Sequence, residues 1–361
     1  MQNTAMPRWF APIMAFCLSF IIIAGLAPSL GLQIDRQIDF WLLWLGTMIL
    51  LALPTVFLEI ALARRSKTSA LNALSKLTRD ADASQKWRVV GWLSVIFIPF
   101  LAGGVLYNLS QLTVLNSDIG FNANVVFAAA AVAACVLSFI PRAALIALTA
   151  VGAIASILLA QVFGQQETVW HVTALEFSEW GKATILALVA SGLGLGLYWQ
   201  SYAVESSSQT EAASKMSLPI WIAQLLAVIG FAYFSVSNAL PAYSILITAV
   251  VAAALLLQLA KEQLQQRQVA VVLQWVLLLV ALFIWAVPNL AQFLNPLLML
   301  WGLVICLIYA IFTGWIMKIS HLRKAMNFSN EIFYNIWRIA MRIVVPLAIV
   351  LAIISFVGQL I

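Results

Sequence analysis

The sequence predicts an all-α polytopic membrane protein of about eleven transmembrane helices, and three observations lead there. Of its 361 residues 64% are hydrophobic and only 9% are charged, with a mean hydropathy of +1.02. The apolar runs repeatedly exceed the roughly 18 residues that mark a spanning helix. The charges concentrate in short segments between those runs, which leaves no space for a soluble domain of any size. Residues 1–361 are therefore read as one transmembrane domain.

The expected spans are, in order, roughly 9–32, 40–63, 89–115, 125–140, 142–163, 183–204, 216–236, 241–260, 269–286, 295–317 and 336–360. These lengths suit a hydrocarbon core of about 30 Å with some tilt. Charge bias tests the order. With the N-terminus in the cytoplasm, all but two of the 19 Lys and Arg fall on inner segments, the exceptions being Arg36 and Lys182. So lopsided a split predicts a cell (inner) membrane protein with N-terminus in and C-terminus out. The pI near 9.4 is explained in the same way, without a nucleic-acid partner.

The first run follows Arg8 and resembles a signal anchor, but it has no small-residue cleavage site and is longer than a typical signal core. Its Gly25-Leu26-Ala27-Pro28-Ser29-Leu30-Gly31 reads equally as a helix break or as a plain helix exit. The second run carries the most expensive side chain. Glu59 lies about one turn inside the Arg64-Arg65 boundary, and an acid within a span is a functional candidate by default. The bland alternative is an acid that snorkels or pairs with Arg64. The inner loop that follows, 64–88, is expected to carry short surface helices.

In the third run Gly103-Gly104-Val105-Leu106-Tyr107-Asn108-Leu109-Ser110-Gln111 gathers small and polar residues, with Tyr107 and Gln111 on one helical face. That face suits a cavity wall, and it suits interhelical hydrogen bonding slightly better. Gln224 in the seventh run reads the same way. The longest outer loop, 164–182, holds Trp170 and Trp180, which are expected at headgroup level.

The sixth run contains Val189-Ala190-Ser191-Gly192-Leu193-Gly194-Leu195-Gly196, and the chain is best understood around it. Each Gly lowers helix propensity by about 1 kcal/mol relative to Ala. Freed backbone groups in hydrocarbon survive only where protein or a watery cavity satisfies them. A broken helix at a binding site is one reading; close helix packing on small residues is the other. Cys17, Cys135 and Cys306 lie far apart in apolar runs, and His171 and His321 stand alone beside loops, so neither a disulfide framework nor a metal site is expected. No nucleophile stands beside a base, so an enzymatic role is not expected.

Several segments together resemble the neurotransmitter:sodium symporter family, especially its eleven-span bacterial amino-acid transporters. Leu53-Pro54 through Glu59-Ile60-Ala61-Leu62-Ala63-Arg64 is similar to that family's second helix, and Trp87-Arg88-Val89-Val90-Gly91-Trp92-Leu93 to its entry into helix three. The glycine run ending in Ser201-Tyr202 resembles its broken sixth helix. Phe312-Thr313-Gly314-Trp315 and Trp337-Arg338 through Arg342-Ile343-Val344-Val345-Pro346 resemble its last two. The resemblance implies two inverted five-helix repeats, about 9–163 and 183–317, plus a C-terminal helix at about 336–360. Helix six is then broken, helix one is a candidate for the same, and a small-molecule substrate lies between them.

Carried over residue by residue, the substrate shell would comprise Val189, Ala190, Ser191, Gly192 and Gly194, with backbone near Gly25. Glu59 would brace the unwound part of helix six. The departures are as informative. The family's helix-one signature is absent, and Ala190 stands where a sodium-binding hydroxyl is usual. The substrate tyrosine of helix three falls on Gly104 or Val105, with Tyr107 half a turn away. Pro219 stands where a helix-seven ligand would be sought. Sodium needs several oxygen ligands, so losing these side chains weakens both of its sites. The expected function is secondary transport of an amino acid or amine with sodium coupling in doubt; the alternative is a scaffold that has lost transport and serves as a partner or sensor subunit.

Overall fold

The computed structural model describes residues 9–31, 38–116, 120–163, 171–199, 212–232, 242–328 and 330–360. Every regular element among them is helical. Arg8, Arg36, Trp170 and the Ser201-Tyr202 pair lie outside the described residues.

In chain order the first elements are α1 (Phe10–Leu26), α2 (Ile38–Ser66), α3 (Ala70–Asp80), α4 (Val89–Leu115), α5 (Ala123–Leu137) and α6 (Arg142–Phe163). After them come α7 (Phe177–Leu188), α8 (Ser214–Gly230), α9 (Ala242–Gln266), α10 (Val271–Phe283), α11 (Ala291–Ile316), α12 (Ile319–Met326) and α13 (Glu331–Gly358). Each expected span overlaps one of these helices, the sixth only as far as Leu188, and α3 and α12 are short helices between spans. Among the described residues six helices are long and apolar enough to cross a membrane, and α1, α5, α8 and α10 are shorter apolar ones. Outward faces such as Val151, Ile154 and Leu158 of α6 are exposed and apolar. The chain is an all-helical polytopic membrane protein.

Two long helices share a local device. α2 widens into a π turn over Met48–Ala52 just before Pro54, and α13 does so over Ala340–Val344 just before Pro346. Proline has no N–H and its ring crowds the turn before it, and a wide turn relieves both. The two helices are tied there, for the Trp337 indole donates to the Pro54 carbonyl at 3.0 Å.

The segments assigned above to one side do gather at one end of the bundle. Lys318 pairs with Asp82 at 2.7 Å, and the Lys318 ammonium holds the Asp82 carboxyl below the usual carboxylate range. Arg267 donates to Asn72 and Ser75 of α3 at 3.3 Å, the Ala213 N–H donates to Met326 O at 2.9 Å, and Arg142 pairs with Glu262. At the opposite end Thr173 donates to Asp39 at 2.8 Å, and Ser355 donates to Phe177 O at 2.6 Å.

One open expectation is narrowed. α1 carries no internal break: it runs unbroken to Leu26, its Ala27 N–H still bonds Ile23 O at 2.8 Å, and a short 3-10 turn over Pro28–Leu30 leads out. Proline ends it, since its φ suits the start of a turn and it cannot donate to the preceding carbonyl. Trp180 of the outer loop also donates its indole N–H to Ala348 O of α13 at 3.3 Å, which leaves its expected headgroup depth untouched. It is a tie between helices.

Candidate functional site

α7 starts on a capping box in which Glu176 and Glu179 take up each other's backbone N–H groups. It then stops at Leu188, well short of the end of its apolar run. Beyond it Gly192, Gly194 and Gly196 have φ of +67°, +79° and +68°. Only glycine occupies that left-handed region without a Cβ penalty. The residues between them keep negative φ, and this alternation turns successive peptide groups outward instead of along a helix axis. Val189 to Trp199 are nonetheless almost completely buried.

The freed groups are met by side chains from other helices. Glu59 of α2, itself 3% exposed, accepts the Gly194 N–H. Backbone N–H groups in alternating conformations form a concavity that favours an anion, and a carboxylate fills this one. The carbonyl before each left-handed glycine also finds a donor. Ser191 O accepts from Tyr198 Oη and from Gln224 Nε2 of α8, both at 3.1 Å. Leu193 O accepts from Cys306 Sγ of α11 at 3.3 Å, and Leu195 O from Gln263 Nε2 of α9 at 3.4 Å. Four helices therefore hold the break. An unmet buried polar group costs about 1–3 kcal/mol, so this set of partners is what makes the break tolerable.

The structure brings together Glu59, Val189, Ala190, Ser191, Gly192 and Gly194. The Ala190 N–H reaches back to Ile185 O at 3.3 Å, and the Gly192 N–H to Val189 O at 3.0 Å. Both close loose turns at the end of α7. Packing around them is tight. A methyl added at Gly192 would lie 2.7 Å from Leu197 Cδ1, and one at Gly194 would lie 3.1 Å from Ile305 Cγ2. Gly302 of α11 gives room to Val189, whose two methyls lie 2.7 Å from where a Cβ would be.

Gly25, Gly104 and Tyr107 sit elsewhere. Gly25 packs on Val105, and its carbonyl accepts from Asn108 Nδ2 at 3.0 Å, which in turn bonds Asn295. At Gly104 a Cβ would lie 2.6 Å from Leu298 and 2.8 Å from Trp285. Tyr107 meets Phe127 of α5 edge-on at 5.7 Å and Trp285, in the turn after α10, at a tilt at 5.9 Å. Of the third-helix candidates, Val105 is the one facing α1.

Sequence reading missed Tyr198, Cys306 and Gln263 as partners of the break. Gln263 had a usable signal, being an amide close to the end of an apolar run, like Gln224. Tyr198 and Cys306 had none, because a Tyr or Cys in an apolar run is ordinary core. Among the described residues no cluster of His, Cys, Asp and Glu could hold a metal ion.

No family profile matches the chain, and no curated protein matches it by sequence. Among solved structures, MhsT in complex with L-phenylalanine, a transporter of the neurotransmitter:sodium symporter fold, superposes with a TM-score of 0.66. That match covers 98% of this chain and 100% of the other at 16% identity. At that identity the likeness establishes architecture and not family membership: the chain has the leucine-transporter-like fold.

Proposed function

We propose that the chain is a secondary transporter of a small solute, an amino acid or amine, that works by alternating access. It would lie in a cell (inner) membrane with its N-terminus in the cytoplasm and its C-terminus outside, with repeats of about 9–163 and 183–317. One observation carries this reading. A helix in the middle of the bundle is broken at three left-handed glycines, and a carboxylate from another helix is buried to cap it. Such a break needs partners from four helices, and an uninterrupted helix would need none. A hinge that exchanges those partners as the solute passes gives the arrangement a use.

Glu59 is the natural coupling group. Its second oxygen, Oε2, is buried with no hydrogen-bond partner among the described residues, so it can take a proton or face a cation. Sodium held by side-chain oxygens is not part of this reading, because Ala190 and Pro219 stand where such ligands are usual. Purified protein in proteoliposomes, offered a panel of labelled amino acids and amines under a sodium or a proton gradient, tests it. Uptake of at least one solute is expected, driven by the proton gradient and reduced at least tenfold by Glu59→Gln. Flux that ignores that substitution removes the proton version, and no flux of any solute removes transport altogether.

The second reading is a scaffold that has lost transport and acts as a partner or sensor subunit. It is favoured by the contacts at Gly25, Gly104 and Gly192, where the chain's own Val105, Trp285 and Leu197 occupy the space beside the glycines. Folded protein that moves no solute, with Glu59→Gln as stable as the wild type, is the result that would select it.

A further inference from the structure

At the cation-rich end of the bundle a cleft of about 560 Å³ opens between the end of α2, α3 and α12. Its walls carry Arg64, Arg65 and Lys67 from α2 and its cap, Lys76 from α3, and His321 and Lys324 from α12. The one carboxylate on the described wall is Asp80, and it is already engaged with Arg65 at 2.8 Å. Five cations thus face one acid.

Cations at such places have ordinary explanations. α2 and α12 both end here, and basic side chains favour helix C-termini and cytoplasmic loops. Those explanations account for charges spread over an open surface. They do not account for charges from three separate elements converging on a hollow. Nor do they account for two buried nitrogens, Arg65 Nε and His321 Nδ1, that have no hydrogen-bond partner among the described residues. Lys76 is also held in place, its ammonium donating to Ser66 O at 3.1 Å. The wall is therefore held in place, with cationic side chains from three elements lining the hollow.

We infer that this cleft binds a phosphate group through Arg65, Lys76, His321 and Lys324. Phosphate matches the chemistry because it presents several acceptor oxygens and more than one negative charge to donors arriving from different directions. The group could be carried by an anionic lipid headgroup or by a soluble phosphorylated solute. The inference is independent of the transport reading, since the cleft shares no residue with the break.

The test uses the full-length protein in phosphatidylcholine nanodiscs, with and without phosphatidylglycerol, titrated with inorganic pyrophosphate and followed by thermal unfolding. A ligand that binds only the folded state raises the unfolding temperature. For the wild type a rise is expected in one arm. Each cation removed near an anionic group is expected to weaken binding about fivefold, so K76Q/K324Q would need about twenty-five-fold more pyrophosphate or would lose the phosphatidylglycerol effect. Lys324→Arg keeps the charge and is expected to respond as the wild type does; so is Lys182→Gln, on the opposite side. A rise with pyrophosphate alone assigns a soluble ligand, and a rise with phosphatidylglycerol alone assigns a headgroup. A wild type that responds to neither overturns the inference whatever the variants do. So does a K76Q/K324Q protein that folds and responds as the wild type does.

Discussion

α1 and the stretch after α7 both carry glycine within apolar runs near the bundle's centre, yet only one of them leaves the helix. Gly25 sits in the last turn of an intact α1 and serves to let Val105 approach, with its carbonyl served by Asn108. Gly192, Gly194 and Gly196 adopt left-handed backbone, and Glu59, Gln224, Cys306 and Gln263 meet the groups that this frees. Glycine therefore permits a break without causing one. The break exists where partners from other helices are in place, and among the described residues no acid hydrogen-bonds α1 as Glu59 does the break.

The contrast gives an order of effects. Gly194→Ala is expected to be the most damaging. It adds about 1–2 kcal/mol of left-handed backbone strain and a further ~1–3 kcal/mol of crowding against Ile305 and Cys306. Removing a neighbour's side chain is expected to recover only the crowding share and to leave the backbone strain, which chemical denaturation in detergent would show. Glu59→Ala comes next, at about 1–3 kcal/mol for the buried Gly194 N–H left without an acceptor. Glu59→Gln keeps an acceptor oxygen and is expected to cost less than about 1 kcal/mol in stability. Equal losses in the two Glu59 variants would show that the carboxylate does not cap the break.

Gly25→Ala has no backbone strain to add. It is expected to cost about 1–3 kcal/mol through the 2.8 Å approach to Val105 Cγ1. Val105→Ala in the same chain is expected to recover most of that. Failure to recover would mean that α1 is strained at Gly25 after all, and the contrast with α7 would collapse. The smallest effect lies outside the core. The Asp82 carboxyl is held low by Lys318, so its contribution is full above the ordinary carboxylate range and is lost as pH falls through the lowered pKa. Asp82→Asn is expected to flatten the acid side of the stability profile slightly, and less so at high salt.

Much of this was legible beforehand. Run length and hydropathy placed the spans, because a bilayer sets the length of a helix that crosses it. Charge bias assigned several distant cationic segments to one side, and contacts such as Lys318–Asp82 and Arg267–Asn72 bring some of them together. Three glycines at alternate positions marked the break, and an acid within a span marked its cap. The first helix was harder, since Gly25 and Pro28 fit a break and an exit equally well. Tyr107 was drawn into the candidate site by its place in the chain, whereas its ring belongs to the Trp285 cluster.

The sequence alone determined what hydrocarbon demands of every residue: where spans begin and end, which side chains are costly inside, and where a helix is weak. Only the tertiary structure decided what answers that weakness. A freed peptide group is satisfied by whichever donor or acceptor lies within about 3 Å of it. The partners here come from helices scattered along the chain, and no local pattern encodes which of their faces meet. For the same reason the cationic cleft, assembled from three segments, becomes visible only once those segments are packed.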